Sequence, residues 1–292
     1  MTALLLLSRP RRARPRLRRA LLWMVALTSL GATPAVAQQA APSGAHDAEA
    51  LAKQLSNPVS SLVSVPFQFN WEQNVGPAEQ TRFVLNVQPV MPFALTENWN
   101  LITRLVVPFV GQPPLFEGGT PASGIADLQA SFFFSPVKSG LTWGAGPVIS
   151  LPSTAQPTLG TEKWSAGPTV VVVKQHGHWT FGALWNQVWS FSGNDARVDV
   201  SQMFLQPFLS YQATKTVTLT LQSESSANWK AADDGDRWTV PINVVVGKLA
   251  TLGPFPASYQ FGFGAFVAHP AIGPSWKVRS AIVVLLPRAP KG

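Results

Sequence analysis

The chain contains no cysteine. It therefore has no disulfide, and it is not a lipoprotein acylated on cysteine. Charge is scarce as well: 12% of residues are charged, against about 25% in an ordinary soluble domain. Beyond residue 37 no apolar run approaches the ~18 residues of a spanning helix. Only four histidines are present: His46, His176, His178 and His269. The pair His176-x-His178 offers two ligands on a tight turn, with no cysteine and no clustered acid nearby, and reads as a plain turn rather than a metal site. What the chain has in quantity is apolar surface: 46% hydrophobic residues, with 11 Trp and 17 Phe. That surface must be placed without a membrane helix.

The N-terminus fixes the destination. Residues 1–19 hold seven arginines and no acid, residues 20–32 are a compact apolar run, and Ala35-Val36-Ala37 is a small-x-small cleavage site. This order is that of a secretory signal peptide; an Arg-rich organellar transit peptide is the alternative. Its removal changes the charge argument. The whole chain carries 22 Lys and Arg against 14 Asp and Glu, and seven arginines leave with residues 1–37, so 15 remain against 14, a net of +1. The high pI belongs to the leader and does not indicate a nucleic-acid partner.

After residue 60 the apolar residues recur with a period of two. In WTFGALWNQVWSF (179–191) the odd positions carry Trp179, Phe181, Ala183, Trp185, Gln187, Trp189 and Phe191, and the even positions are small or polar apart from Leu184 and Val188. A period of two is a strand with two unlike faces. A membrane strand needs only about 9–11 such residues, apolar toward lipid and polar toward the lumen.

Twelve segments fit, at 62–71, 82–93, 99–109, 126–135, 141–151, 164–175, 179–191, 203–211, 217–225, 238–248, 258–267 and 276–286. The sixth is less clean than the rest, and the last is ambiguous in phase. Short connections at 94–98, 136–140, 175–178, 213–216 and 251–256 alternate with longer ones at 72–80, 110–124, 152–163, 192–201, 226–237 and 268–275. The pattern predicts an all-β fold: an up-and-down antiparallel transmembrane β-barrel of about twelve strands, with tight periplasmic turns, long outer loops and both chain ends on the periplasmic side. Trp71, Trp99, Trp164, Trp179, Trp189, Trp238 and Trp276 stand near segment ends, where interfacial girdles form. Seven prolines (Pro66, Pro89, Pro108, Pro147, Pro168, Pro207 and Pro241) fall inside the segments and argue the other way, toward a soluble sandwich, unless each lies at a bulge or strand end.

The domain reading is a signal peptide at 1–37, a periplasmic lead-in or plug helix at 38–60, the barrel at 61–286 and a tail at 287–292. Within the lead-in, DAEALAKQL (47–55) has helical character, with Ala48, Leu51 and Leu55 on one face and Ala52 beside them. It is either a helix tucked into the barrel mouth or a disordered lead-in.

Several stretches resemble a bacterial envelope family named for the MetA pathway of phenol degradation: SNPVSSLVSVPFQFNWEQNVGP, LNVQPVMPFALTENWNLITRLVVPF, GIADLQASFFFSP, GAGPVISLPS, EKWSAGPTVVVVKQHGHWTFGALWNQVWSFSG and FLQPFLSY. The resemblance runs from about Leu51 to Leu286. It implies an outer-membrane β-barrel of a transporter family, and it brings no catalytic or binding residues. The chain departs from outer-membrane barrels in one respect: they commonly end on an aromatic residue, whereas Pro287 to Gly292 follow the last segment here.

Chemistry for catalysis is thin. A barrel phospholipase needs a serine beside a histidine, and its His-x-Ser pattern does not occur. Gly144-x-Gly146 and Gly262-x-Gly264 precede no helix, so they are read as room on a strand's inner face rather than phosphate loops. The expectation is no enzyme, no metal and no cofactor. Function is expected on the inner face, where Gln68, Asn70, Asn86, Gln88, Arg104, Asp127, Gln129, Gln222, Glu224 and Asn243 point into the lumen, with Arg104 and Asp127 able to pair across it. Twelve strands enclose more room than side chains alone fill. The expected partners are outer-membrane lipid of a Gram-negative cell, a small-molecule solute, and the periplasmic chaperones and barrel-assembly machinery. The expected function is passive passage of a small apolar or aromatic solute. The alternatives are a structural or adhesive barrel with a filled lumen, and a soluble periplasmic all-β ligand-binding protein.

Overall fold

The computed structural model describes residues 50–286, apart from 53, 56–61, 138, 139 and 155. The signal peptide, most of the lead-in and the tail at 287–292 lie outside these residues.

The described residues form fifteen strands: β1 (Val63–Val75), β2 (Gln80–Val87), β3 (Val90–Ala94), β4 (Trp99–Gln112), β5 (Ala122–Ile125), β6 (Leu128–Pro136), β7 (Thr142–Leu151), β8 (Lys163–His176), β9 (Trp179–Gly193), β10 (Ser201–Gln212), β11 (Val217–Ser223), β12 (Ser225–Asn228), β13 (Trp238–Leu252), β14 (Phe255–Ala268) and β15 (Trp276–Leu286). Three pairs are interrupted single staves: β2 with β3, β5 with β6, and β11 with β12. The wall therefore has twelve staves. Each is antiparallel to its neighbours, and β15 pairs back onto β1 from Val63↔Leu286 to Gln73↔Trp276. Closure leaves no sheet edge, which is the condition for a strand protein in lipid. The chain is a transmembrane β-barrel, and the soluble sandwich is set aside.

Each of the twelve apolar combs lies on one stave. The outer face carries Trp71, Trp99, Trp164, Trp179, Trp189, Trp238 and Trp276, all exposed, with Val170, Val172, Phe181, Leu219, Leu221, Val244, Val246, Phe261 and Phe263 between the rims. A belt of this kind is stable against acyl chains and not against water. The rim aromatics pair with each other: Trp99 with Trp143 at 6.0 Å and Trp179 with Tyr211 at 4.7 Å at the short-turn end, Trp229 with Trp238 and Phe263 with Trp276 both at 5.7 Å at the other end. The largest departure from an apolar belt is on β9. Gln187 is buried on the aromatic face of β9, and its Oε1 accepts the Trp229 indole N–H at 2.9 Å.

The prolines follow a rule. In an antiparallel ladder each N–H points to one neighbour only. A proline therefore spoils one side of its strand and leaves the other intact. Pro147 and Pro168 face each other across an unbroken β7–β8 ladder, while β6–β7 is interrupted opposite Pro147 and β8–β9 opposite Pro168. Pro207 pairs with Ala183 on β9 and stands opposite the β11–β12 interruption on its other side. Pro241 lies at the β13–β14 register shift and faces the same interruption from the β13 side. The residue left unpaired between these two prolines is Glu224.

The loop expectation needs one correction. The connection read as long at 72–80 is only 76–79, because β1 and β2 run further than their combs. Gly76 (φ 75°) makes this turn possible, since a Cβ there would lie 2.3 Å from the Pro114 carbonyl oxygen.

Candidate functional site

Inward-facing residues divide the lumen into two unlike halves. On one side Val90, Ile102, Phe133, Val171, Val173 and Leu184 form a buried apolar cluster, and Phe204 and Phe208 pack against it. Its staves are β3, β4, β6, β8, β9 and β10. The large side chain at its centre, Phe133, is fully buried. Gly144 is where it is because a Cβ there would stand 3.0 Å from the Phe133 Cβ, and at Gly146 one would stand 2.0 Å from the Phe132 carbonyl oxygen. Both glycines make room on the inner face of β7.

The other half, from β11 around through β15 to β2, is polar, and the open space lies between it and Arg104, Gln129, Asn186, Phe204 and Phe208 of the facing staves. A lower cavity of about 190 Å³ is lined near the periplasmic end by Ser64, Thr218, Thr220, Gln222, Gly247 and Ser258. Ala52 and Leu55, helical residues of the lead-in, also line it. An upper cavity of about 300 Å³ is lined by Glu72, Arg82, Asn86, Gln129, Asn186, Phe204 and Lys277. The two cavities share Gln68, Gln88, Arg104 and Glu224. These four residues are the waist of the lumen.

Glu224 organises the waist. Its Oε1 accepts from Arg279 Nη1 at 3.0 Å, its Oε2 from Arg279 Nη2, and Lys277 Nζ stands 3.4 Å from Oε2. Arg279 Nε donates to Asn70 Oδ1 at 2.9 Å, and Asn70 Nδ2 donates to the Val84 carbonyl at 3.3 Å. Opposite, Arg104 Nη2 donates to Gln88 Oε1 at 2.6 Å, and Gln88 Nε2 to Gln68 Oε1 at 3.3 Å. Above, Arg82 and Glu72 form a separate pair at 2.6 Å.

Of the residues expected to face the lumen, Gln68, Asn86, Gln88, Arg104, Gln129, Gln222 and Glu224 line the cavities. Asn70 and Asn243 stand on the same inward faces, buried among their neighbours; Asn70 holds Arg279, and Asn243 Nδ2 donates to the Gln222 carbonyl at 3.3 Å. Asp127 is the exception. It does not pair with Arg104. Its Oδ2 accepts the Thr161 amide at 2.6 Å and the Thr161 hydroxyl at 2.8 Å. The reason is axial distance: Arg104 is registered to Ser131, four residues along the stave from Asp127, or about 13 Å at ~3.3 Å per residue. Asp127 thus belongs to the outer rim.

Sequence reasoning missed the two cations that hold Glu224. Lys277 and Arg279 sit in WKVRSAIVVLL, whose phase is ambiguous because both of its faces are rich in small or apolar residues; the i, i+2 spacing of its two cations was the available signal.

The outer mouth is tied by charge. Lys163, buried at the top of β8, stands 3.3 Å from Asp199 Oδ1, and Arg197 donates to the Pro157 and Gly160 carbonyls at 2.9 and 2.7 Å. The Lys163 hydrogen bond, with one from Ser190, holds the Asp199 carboxyl below its usual range. A mouth cavity of about 490 Å³ lies here, lined by Thr161, Arg197, Asp199, Gln202 and Lys230 among others. His176 and His178 stand at the β8–β9 turn, with the His178 ring 6.2 Å from that of Tyr211. His269 stands in the loop before β15 with its Nδ1 2.8 Å from the Pro270 carbonyl oxygen.

No protein-family model matches the chain, and no curated protein matches it in sequence. Solved structures do match in fold. The COG4313 outer membrane channel from Pseudomonas putida F1 is similar with a TM-score of 0.58 at 14% identity, over 79% of this chain and 97% of that one. The NanC porin is similar with a TM-score of 0.49 at 10% identity, over 77% of this chain and 100% of that one. Outer membrane phospholipase A from Escherichia coli has a TM-score of 0.43 at 10% identity, over 82% and 98%. At these identities the likeness is one of fold.

Proposed function

We propose that the protein is a passive outer-membrane channel for small solutes with an apolar or aromatic body. The observation that carries this reading is the pair of cavities, one in each end of the barrel, meeting at a waist of four side chains. Phe204 and Phe208 border the route on its apolar side. A solute can therefore keep an apolar face on these rings and a polar group on the waist. No bound energy source is needed for such passage. The resemblance to the phenol-degradation family points toward aromatic solutes too. In this reading residues 1–37 export the chain, and periplasmic chaperones and the barrel-assembly machinery insert it.

The test is purified protein in liposomes and planar bilayers. Ion conductance with entry of small aromatic solutes is expected; sealed liposomes would refute the channel. A structural barrel with a filled lumen is the second reading. It is favoured by the buried Phe133 cluster and by Ala52 and Leu55 lining the lower cavity. It predicts a folded barrel with no conductance.

A further inference from the structure

We propose that the waist is a binding site for a small monocarboxylate with a flat apolar body, its carboxylate received by Arg104. The proposal deepens the channel reading by naming the class of solute. It begins from a charge imbalance. The cavities are lined by four cations, Arg82, Arg104, Lys277 and Arg279, and two acids, Glu72 and Glu224. Both acids are engaged: Glu72 by Arg82, Glu224 by Arg279 and Lys277. Arg104 makes no ion pair among the described residues: Glu224 acts on it only through space, and its one hydrogen bond goes to the Gln88 amide oxygen. A guanidinium carries five N–H donors in a planar fork that fits a carboxylate with two parallel bonds. Apart from that one bond, the fork of Arg104 has no acceptor among the described residues.

A second, independent observation points to an acceptor. Asn186 on β9 is 1% exposed, and its Nδ2 has no hydrogen-bond partner. It lines the same upper cavity as Arg104. Buried donors left without acceptors are costly, and a ligand oxygen removes that cost. The site therefore presents unpaired donors and an excess of two positive charges, and it asks for a negatively charged acceptor.

The walls decide what kind of anion. Val90 is registered directly opposite Arg104, and Val106 follows it on the same inward face. Phe204 and Phe208 stand across the cavities. A compact, strongly hydrated anion such as phosphate would lose its water against these groups without replacement. A carboxylate on an aromatic ring presents charge to Arg104 and an apolar face to the phenylalanines.

The experiment is calorimetric titration of the folded barrel in detergent with sodium benzoate, benzyl alcohol and inorganic phosphate. Benzoate is expected to bind at least tenfold more tightly than either of the others. Arg104→Gln should weaken benzoate at least tenfold and leave benzyl alcohol unchanged, while Arg104→Lys, which keeps the charge and loses the fork, should fall between. Folding of each variant is checked by its mobility shift on boiling, and Arg104→Lys carries the test if Arg104→Gln fails to fold. Benzoate and benzyl alcohol binding alike, phosphate binding more tightly than benzoate, or benzoate binding untouched by both substitutions would overturn the site. Binding is read here without passage. A barrel that binds benzoate but does not conduct would sink the channel and keep the site; one that conducts without binding benzoate would do the reverse.

Discussion

The two halves of the lumen are built on the same strand geometry and do opposite things. Around Phe133 the inward residues are mostly valine, leucine, isoleucine and phenylalanine, with small or amide side chains such as Ser131, Thr169 and Asn186 buried beside them. Around Glu224 they are charged or amide side chains bordering open space. A twelve-stave barrel encloses more volume than its side chains fill evenly. This one fills one side densely and leaves the other free. The apolar half narrows and stiffens the barrel, and the polar half sets what can pass. The backbone is interrupted in both halves, by Pro207 and Pro241 beside Glu224 and by Pro147 and Pro168 on the packed side.

Substitutions that treat the halves as unlike should separate stability from selectivity. The largest effect is expected at the packed side. Phe133→Ala removes a fully buried ring and should cost about 3–5 kcal/mol. It should lower the temperature at which the compact electrophoretic form is lost, with ion preference unchanged. On the polar side, Arg279→Met leaves Glu224 with Lys277 alone and strands Asn70 Oδ1; a cost of about 1–3 kcal/mol is expected, lowered from the value for a dry pair because the lumen is wet. Glu224→Gln leaves the buried Lys277 and Arg279 without a counter-charge, so reversal potentials in a salt gradient should move toward anion preference, with a loss of stability of the same order.

Trp229→Phe on the outer face deprives Gln187 of its donor and should cost about 1 kcal/mol, read from the same melting assay. The smallest effect belongs to the mouth. The carboxyl of Asp199 is depressed by Lys163, so its contribution is complete above the unfolded value near pH 4. It fades as pH falls through the lower folded value. Proteolysis of the 194–200 loop should rise there, and Asp199→Asn should abolish that dependence.

The barrel was legible because one face of each stave is answerable to lipid. A residue such as Trp179 or Phe261 has no other place to go in a twelve-stave closed sheet, so period and count sufficed. The prolines become legible only with neighbours and register known, since the damage from Pro207 falls on the adjoining stave, at the β11–β12 interruption. The waist was half visible. Gln68, Gln88, Arg104 and Glu224 stood out as polar teeth on apolar combs. Ile102, Phe133 and Leu184 lie on those same inner faces and passed unnoticed, because an apolar residue on a polar face carries no flag. Asp127 and Arg104 stand at different heights, which period two does not reveal: it gives the side of a strand, and only register gives the level.

The central claim is that water and solutes reach one half of the lumen and not the other. The absence of native cysteine makes it directly measurable. Gln222→Cys and Val171→Cys, each the only thiol in its barrel, are exposed in planar bilayers to a positively charged methanethiosulfonate reagent. The account predicts rapid modification of Gln222→Cys with a fall in current, and none of Val171→Cys. Equal reaction at both positions, or reaction at Val171→Cys alone, would contradict it.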